Sequence, residues 1–347
     1  MAAKDVGSAF IVVGMIARPS ARRALRVFAF ALLFPIAAGS EPPGLQLEDK
    51  IVLGRIAGRI DHLAVDLDRR RLFVAELGND SVAVIDLKTR KLLRRLPGFK
   101  HPQGIGYDRA SDLLFVASGG DGAVHLLRGE DFAALGRIDL GDDADNVRVD
   151  AGANRVYVGY GSGAIAIIDP RARVKIGNIT LPAHPESFQL DSSSRRIYAN
   201  VPDAKQVAVL DRESGVQIAA WQLPNARANF PLAIDGASRR VLVIARHPPK
   251  LIVFDSVDGS ITAEVSVCGD ADDVFVDAKR RQIYVSCGEG FVDVFEQHDS
   301  TYRRIGHMAS VAGARTSLFV PELDRLFVAV RSTAAEPAAL WVFRPLP

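Results

Sequence analysis

A seven-bladed β-propeller, all-β with four-stranded blades, is the fold that this 347-residue sequence predicts. Three observations predict it. First, one unit recurs: an aspartate closes a short apolar run at Asp66, Asp108, Asp150, Asp191, Asp235 and Asp277, with Pro321 in the seventh place, at spacings of 42, 42, 41, 44, 42 and 44 residues. Second, each unit carries three short runs rich in Val, Ile, Phe and Tyr, and most carry a fourth. Third, Gly, Asp, Asn and Pro lie between the runs and no helical period is sustained, which is strand-and-turn chemistry. Four strands in a repeat of about 40 residues make one propeller blade.

Residues 58–87 show the unit most plainly. A strand at 63–65 ends in Asp66, an Arg-rich turn leads to a strand at 72–75, and a third strand fills 81–85. The second strand returns as LFVA at 114, VYVG at 156, IYAN at 197, VLVI at 241, IYVS at 283 and LFVA at 326. The third returns as AVHLL at 123, AIAIID at 164, QVAVLD at 206, LIVFD at 251, FVDVF at 291 and LWVF at 340. Outer strands are expected at 91–96, 134–138 and 261–267. The recurring Asp has a structural reason, because its carboxylate satisfies the amides of the turn that follows. The seventh unit ends without an outer strand, while KIVLG at 50–54 precedes the first unit with no strands of its own. The segment at 50–54 is therefore expected to complete the last blade, closing the ring and removing its open edges.

The first 39 residues differ from the rest. Arg18, Arg22, Arg23 and Arg26 precede an apolar run at 27–38 that ends in Ala37-Ala38-Gly39-Ser40. This is a basic region, an apolar region and a small-residue cleavage site, so 1–39 reads as a signal segment and 40–347 as the propeller. The apolar run is too short to anchor the chain across a bilayer. A general secretory signal fits better than a twin-arginine one, and Met15 is an alternative start. The expected product is periplasmic or secreted, without a transmembrane anchor, and monomeric. A net charge of +2 gives no basic surplus for nucleic acid. Cys268 and Cys287 have no metal-finger spacing. They are expected near one face, and two readings stay open: a disulfide, which needs a Cα separation below about 7 Å, or two separate thiols.

Blocks such as RLFVAELGNDSVAVIDLKT (71–89) and RIYANVPDAKQVAVLDRESG (196–215) resemble the YVTN repeat family of seven-bladed propellers. Ile197-Tyr198-Ala199-Asn200 is nearest to the tetrapeptide that gives the family its name; elsewhere Ala, Gly or Ser stands for Thr, and the Asn is mostly lost. The resemblance covers residues 50–347 and is also WD40-like in repeat length. It implies an exported bacterial or archaeal propeller and says little about activity. Relatives with similar propellers include lactone hydrolases.

Function is expected on the face where chain segments enter each innermost strand, because loops on a rigid ring vary without disturbing it. These loops diverge while the strands stay alike, giving a ring of unlike polar groups. Its candidate ligand-binding residues are Asp61, His62, His101, Asp145, Asn146, Arg148, His184, Glu186, Asn229, Asp272, Asp273 and Arg315, with Glu76 from a neighbouring second-to-third loop. His62, His101 and His184 are candidate ligands of a divalent metal, with carboxylates completing the set. A metal-free pocket in which Arg148 and Arg315 hold an anion is the second reading. Blade five offers an aromatic and cationic sector, Asn229-Phe230 and Arg246-His247. No Gly-x-Ser-x-Gly elbow, phosphate loop or dinucleotide fingerprint occurs. The leading expectation is an exported propeller that binds a small molecule or protein on this face. The alternative is a metal-assisted hydrolase or lactonase-like enzyme built on the His and carboxylate ring.

Overall fold

The computed structural model describes residues 44–347; the signal segment expected over 1–39 lies outside them. Seven four-stranded antiparallel sheets form the seven blades. Their innermost strands are Leu63–Asp66, Pro102–Asp108, Ala144–Asp150, Ser187–Leu190, Arg227–Asp235, Ala271–Asp277 and Ser317–Val320. Helix among the described residues is confined to three single turns, Leu77–Asn79, Pro202–Ala204 and Pro321–Leu323. The last of these stands where blade 7 has Pro321 in place of the recurring aspartate.

The strand Leu45–Gly54 pairs with Ala338–Pro345 and becomes the outer strand of blade 7, so the two ends of the described chain close the ring. The strand is longer than the sequence predicts: pairing begins at Leu45 opposite Pro345 and reaches Gly54 opposite Ala338. Leu45, Ile51 and Leu53 are buried.

The second and third strands are apolar at consecutive positions because both their faces are covered. In blade 1, Leu72, Val74, Ala83 and Ile85 pack toward blade 7, while Phe73, Ala75, Val82 and Val84 pack toward blade 2. The same division recurs around the ring, giving one apolar cluster at each of seven seams. The outer strands instead alternate between exposed and at least partly buried residues, as in Val216–Gln222.

The aspartates that end the innermost strands do what turn chemistry requires. Asp66 Oδ1 accepts from the backbone N–H groups of Asp68 and Arg69, and Asp277 Oδ1 from those of Lys279 and Arg280, at 3.1–3.3 Å. Asp108, Asp150, Asp191 and Asp235 bond their own turns likewise.

Cys268, just past the outer strand Ile261–Ser266 of blade 5, is disulfide-bonded to Cys287 at the end of the second strand of blade 6. Their Cα atoms are 5.8 Å apart, so the bond ties two neighbouring blades.

Candidate functional site

The innermost strands are irregular where they enter the channel. In blade 3, Ala144 pairs with Tyr160 and Val147 with Val158, so one strand has a residue more than its partner. Blades 2, 5 and 6 slip in the same way at the same place. In blade 1, Asp61 N–H donates to the carbonyl of Ala75, whose own N–H donates to the carbonyl of His62. In a regular strand, neighbouring side chains point to opposite faces. A bulge re-aims them, and here it turns two consecutive residues toward the axis.

The first of the two stands five residues before the strand-ending position in every blade: Asp61, Gln103, Asp145, Glu186, Phe230, Asp272 and Thr316. Six of these, all but Thr316, line a cup of about 300 Å³ at the channel mouth. The next residue lines a second cavity of about 320 Å³ in the channel below, through His62, Asn146, Ser187, Pro231, Asp273 and Ser317. His62 and Asp272 border both spaces. Arg59, Asp143 and His184 complete the cup from two positions earlier, together with Arg315 and with Arg246 from a second-to-third loop.

The wall has two unlike halves. Over blades 5 to 7, cations and carboxylates alternate. Arg246 Nη2 donates to Asp272 Oδ1 at 2.5 Å, and Arg315 Nε lies 2.9 Å from Asp272 Oδ2. Asp270 accepts from Arg315 Nη1 at 2.9 Å. The Arg246 guanidinium also covers the ring of Phe230 at 3.7 Å. Arg59 Nη2 is likewise paired, donating to Asp61 at 2.5 Å, while its Nε is buried without a partner among the described residues.

Over blades 3 and 4 stand three carboxylates without a guanidinium. Asp143 accepts from Gln103 Nε2 at 2.9 Å, and His184 Nδ1 lies 3.9 Å from it while bonding the Gly161 carbonyl at 2.6 Å. Among the described residues Asp145 Oδ1 is shielded from solvent and has no hydrogen-bond partner. Glu186 has no ion-pair partner among them either. Burial, reinforced by Asp61 and Glu186, raises the Asp145 carboxyl well above the usual range. Burial also raises Glu186, against an opposing pull from His184. Asp273 below is raised by burial, although it accepts the Ser317 N–H at 2.7 Å. Burial lowers His62, which favours a neutral imidazole.

Of the residues expected from sequence, Asp61, His62, Asp145, His184, Glu186, Asp272 and Arg315 line the cup. Asn146, Arg148 and Asp273 lie in the channel beneath it. There Asn146 bonds the Glu186 carbonyl at 2.6 Å, and Arg148 bonds Asn146 Oδ1 and the Val147 carbonyl. Three expected residues are elsewhere. His101 is exposed and does not line the cup: its backbone takes a left-handed φ of 48°, its N–H bonds Asp80, and it borders an open hollow beside the cup that shares Arg59, Gln103 and Asp143 with it. Glu76 is sealed in blade 1, where its carboxylate meets Arg95 at 2.6 and 2.9 Å and the Ser81 hydroxyl. Asn229 is fully buried and braces blade 4 through Asn200 Oδ1 and the Gln206 carbonyl. With His101 outside the cup, His62, His101 and His184 do not share one space. Among the described residues no three His, Cys, Asp or Glu side chains form a group able to hold a metal ion.

Arg59, Gln103, Asp143, Phe230 and Arg246 are the cup-lining residues that the candidate set lacks. The last two belong to the aromatic and cationic sector expected of blade 5, and the repeat register carries a signal for the other three. Counting back from the strand-ending position puts Gln103 in register with Asp61, and puts Arg59 and Asp143 in register with His184.

No family model and no curated protein matches the sequence. Solved structures match in fold. A chain of the hydrazine synthase of Kuenenia stuttgartiensis superposes with a TM-score of 0.71 at 13% identity, covering 84% of this chain and 96% of its own. A chain of a mitotic checkpoint complex superposes with a TM-score of 0.72 at 13% identity, covering 97% of this chain and 98% of its own. At this identity the likeness concerns the propeller fold alone.

Proposed function

We propose that this chain is an exported β-propeller of the YVTN type that binds a small polar molecule in the cup at its channel mouth. The observation that carries the binding reading is the cup itself: one repeat position, filled by Asp in three blades and by Gln, Glu and Phe in three others, gathered around a recess of about 300 Å³. Concave sites with a few convergent polar groups are where small ligands bind. A protein partner would meet a recessed, charged cavity, so the small molecule is the better fit. Export is supported by the basic and apolar pattern of residues 1–39. It is also supported by the cross-blade disulfide, which persists in oxidising compartments.

The hydrolase alternative has one observation in its favour. Asp145 and Glu186 are held toward the protonated form at the same cup, as a general acid requires. A metal-assisted version has no ligand group to rest on among the described residues.

Equilibrium dialysis of the mature protein against polar solutes tests the binding reading. Saturable binding that is lost in Arg315→Ala supports it; binding unaffected by any cup substitution overturns it. Turnover of a lactone panel, abolished by Glu186→Gln, would favour the alternative. Intact mass of the secreted chain, expected to begin near residue 40, tests export.

A further inference from the structure

The cup's two halves point to the class of its ligand. Five carboxylates and three guanidinium groups line it. Each guanidinium is already engaged: Arg59 with Asp61, Arg246 with Asp272, and Arg315 with Asp270 and Asp272. An anionic ligand would have to compete with these carboxylates for every cation. The excess is negative and lies on one side, at Asp143, Asp145 and Glu186. There Asp145 Oδ1 is cut off from solvent without a partner, a costly state unless something completes it.

We propose, on the reading of the cup as a ligand site, that the molecule it takes is a small primary amine whose ammonium group is received by Asp145, Glu186 and Asp143. A primary ammonium carries one positive charge and three N–H donors on a compact head, and on this side of the cup it meets three carboxyl groups without a guanidinium partner, whose ionised form it would favour. A bare metal ion is a poorer fit, since no three of the ligating side chains form a metal-holding group among the described residues. A quaternary ammonium is a poorer fit as well. It has no N–H to give Asp145, and the one aromatic ring in the wall, Phe230, is already covered by Arg246 at 3.7 Å. On the other wall, Arg59 Nε is a buried donor without a partner. An oxygen acceptor on the same ligand would satisfy it, so an amino alcohol or amino acid suits the cup better than a plain alkylamine.

The test uses the mature protein, with ethanolamine as the minimal probe at constant ionic strength. Tetramethylammonium, acetate, glycerol and calcium serve as comparators, read by thermal shift and isothermal titration. Ethanolamine is expected to stabilise saturably, where tetramethylammonium and calcium do not. Its affinity should fall at least tenfold in Asp145→Asn and in Glu186→Gln. Both variants remove a repelling charge and are expected to stay folded, which the same melting curves verify. The proposal is overturned if ethanolamine acts no differently from sodium chloride, or if both variants bind it like the parent. Should acetate or glycerol bind instead and be lost in Arg315→Ala, the cup remains a ligand site and only the amine is refuted. If none of the probes binds, the binding reading fails with it.

Discussion

Glu186 and Asp191 flank the same four-residue strand, Ser187–Leu190, and behave in opposite ways. Glu186, at the mouth, is raised by burial. Asp191, at the far end, is raised by burial too, but the hydroxyl and amide groups of Ser193 and Ser194 outweigh this and leave it lowered. One carboxylate has been supplied with donors and the other has not. The contrast extends around the ring: the far end repeats one solution in six blades, whereas the mouth position holds five residue types in seven blades. Burial alone does not set the fate of an ionisable group; the availability of donors decides it. The far end is built for stability. The mouth gives up stability, as expected of the ligand site proposed for it.

Substitutions can break or sharpen this contrast, and scaffold changes should have the largest effect. Deleting residues 45–54 removes the buried Leu45, Ile51 and Leu53 together with a whole strand. Losing each such side chain costs about 2–5 kcal/mol, against a total stability of about 5–15 kcal/mol for a typical domain. No cooperative unfolding transition should remain by circular dichroism. Asp277→Ala removes the acceptor of two turn amides, of Arg280 and of Tyr284. It should cost about 3 kcal/mol in urea unfolding and leave cup binding intact. Cys287→Ser should cost about 3 kcal/mol under oxidising conditions, given a separation of 19 residues, and less relative to the parent once both are reduced, when only the buried hydroxyl distinguishes them.

The smallest effect should be the most diagnostic, because its sign reverses between the two ends of one strand. A carboxyl raised on folding contributes stability at low pH and loses it as pH rises through its folded value. A carboxyl lowered on folding contributes stability at neutral pH and loses it as pH falls. Hence at pH 7–8 Glu186→Gln should stabilise the free protein and Asp191→Asn should destabilise it, each by about 1 kcal/mol. Both differences should shrink toward pH 3. Denaturant titrations at the two pH values check this, and equal signs at neutral pH would remove the contrast.

The scaffold end was legible in the sequence for the reason that it is stable. A side chain with the same task in every blade must recur at the same spacing, so Asp66 and its counterparts were visible without coordinates. So was the strand that closes the ring, since 50–54 was an outer strand without a blade. The mouth was legible in position but not in role. Glu76 and Asn229 are polar residues near loops, and nothing in their spacing tells that Arg95 seals one and Asn200 the other. His101 and His184 share a register and a following Pro, yet only His101 has a left-handed backbone and only His184 lines the cup. Arg59 went unread because it precedes the first strand of the first blade, where no earlier copy announces the pattern. The bulge that turns two adjacent side chains inward leaves no compositional mark.

Closure through Leu45–Gly54 also has a consequence in time. The partner of this strand, Ala338–Pro345, lies almost the whole described chain away, so this pairing closes a very long loop. Until the two strands meet, any blades already folded form an unclosed arc with a bare edge at each end. Such an arc offers unpaired strand edges to any neighbour. The exposure ends only when blade 7 is completed, so losing Ala338–Pro345 should be as damaging as losing Leu45–Gly54.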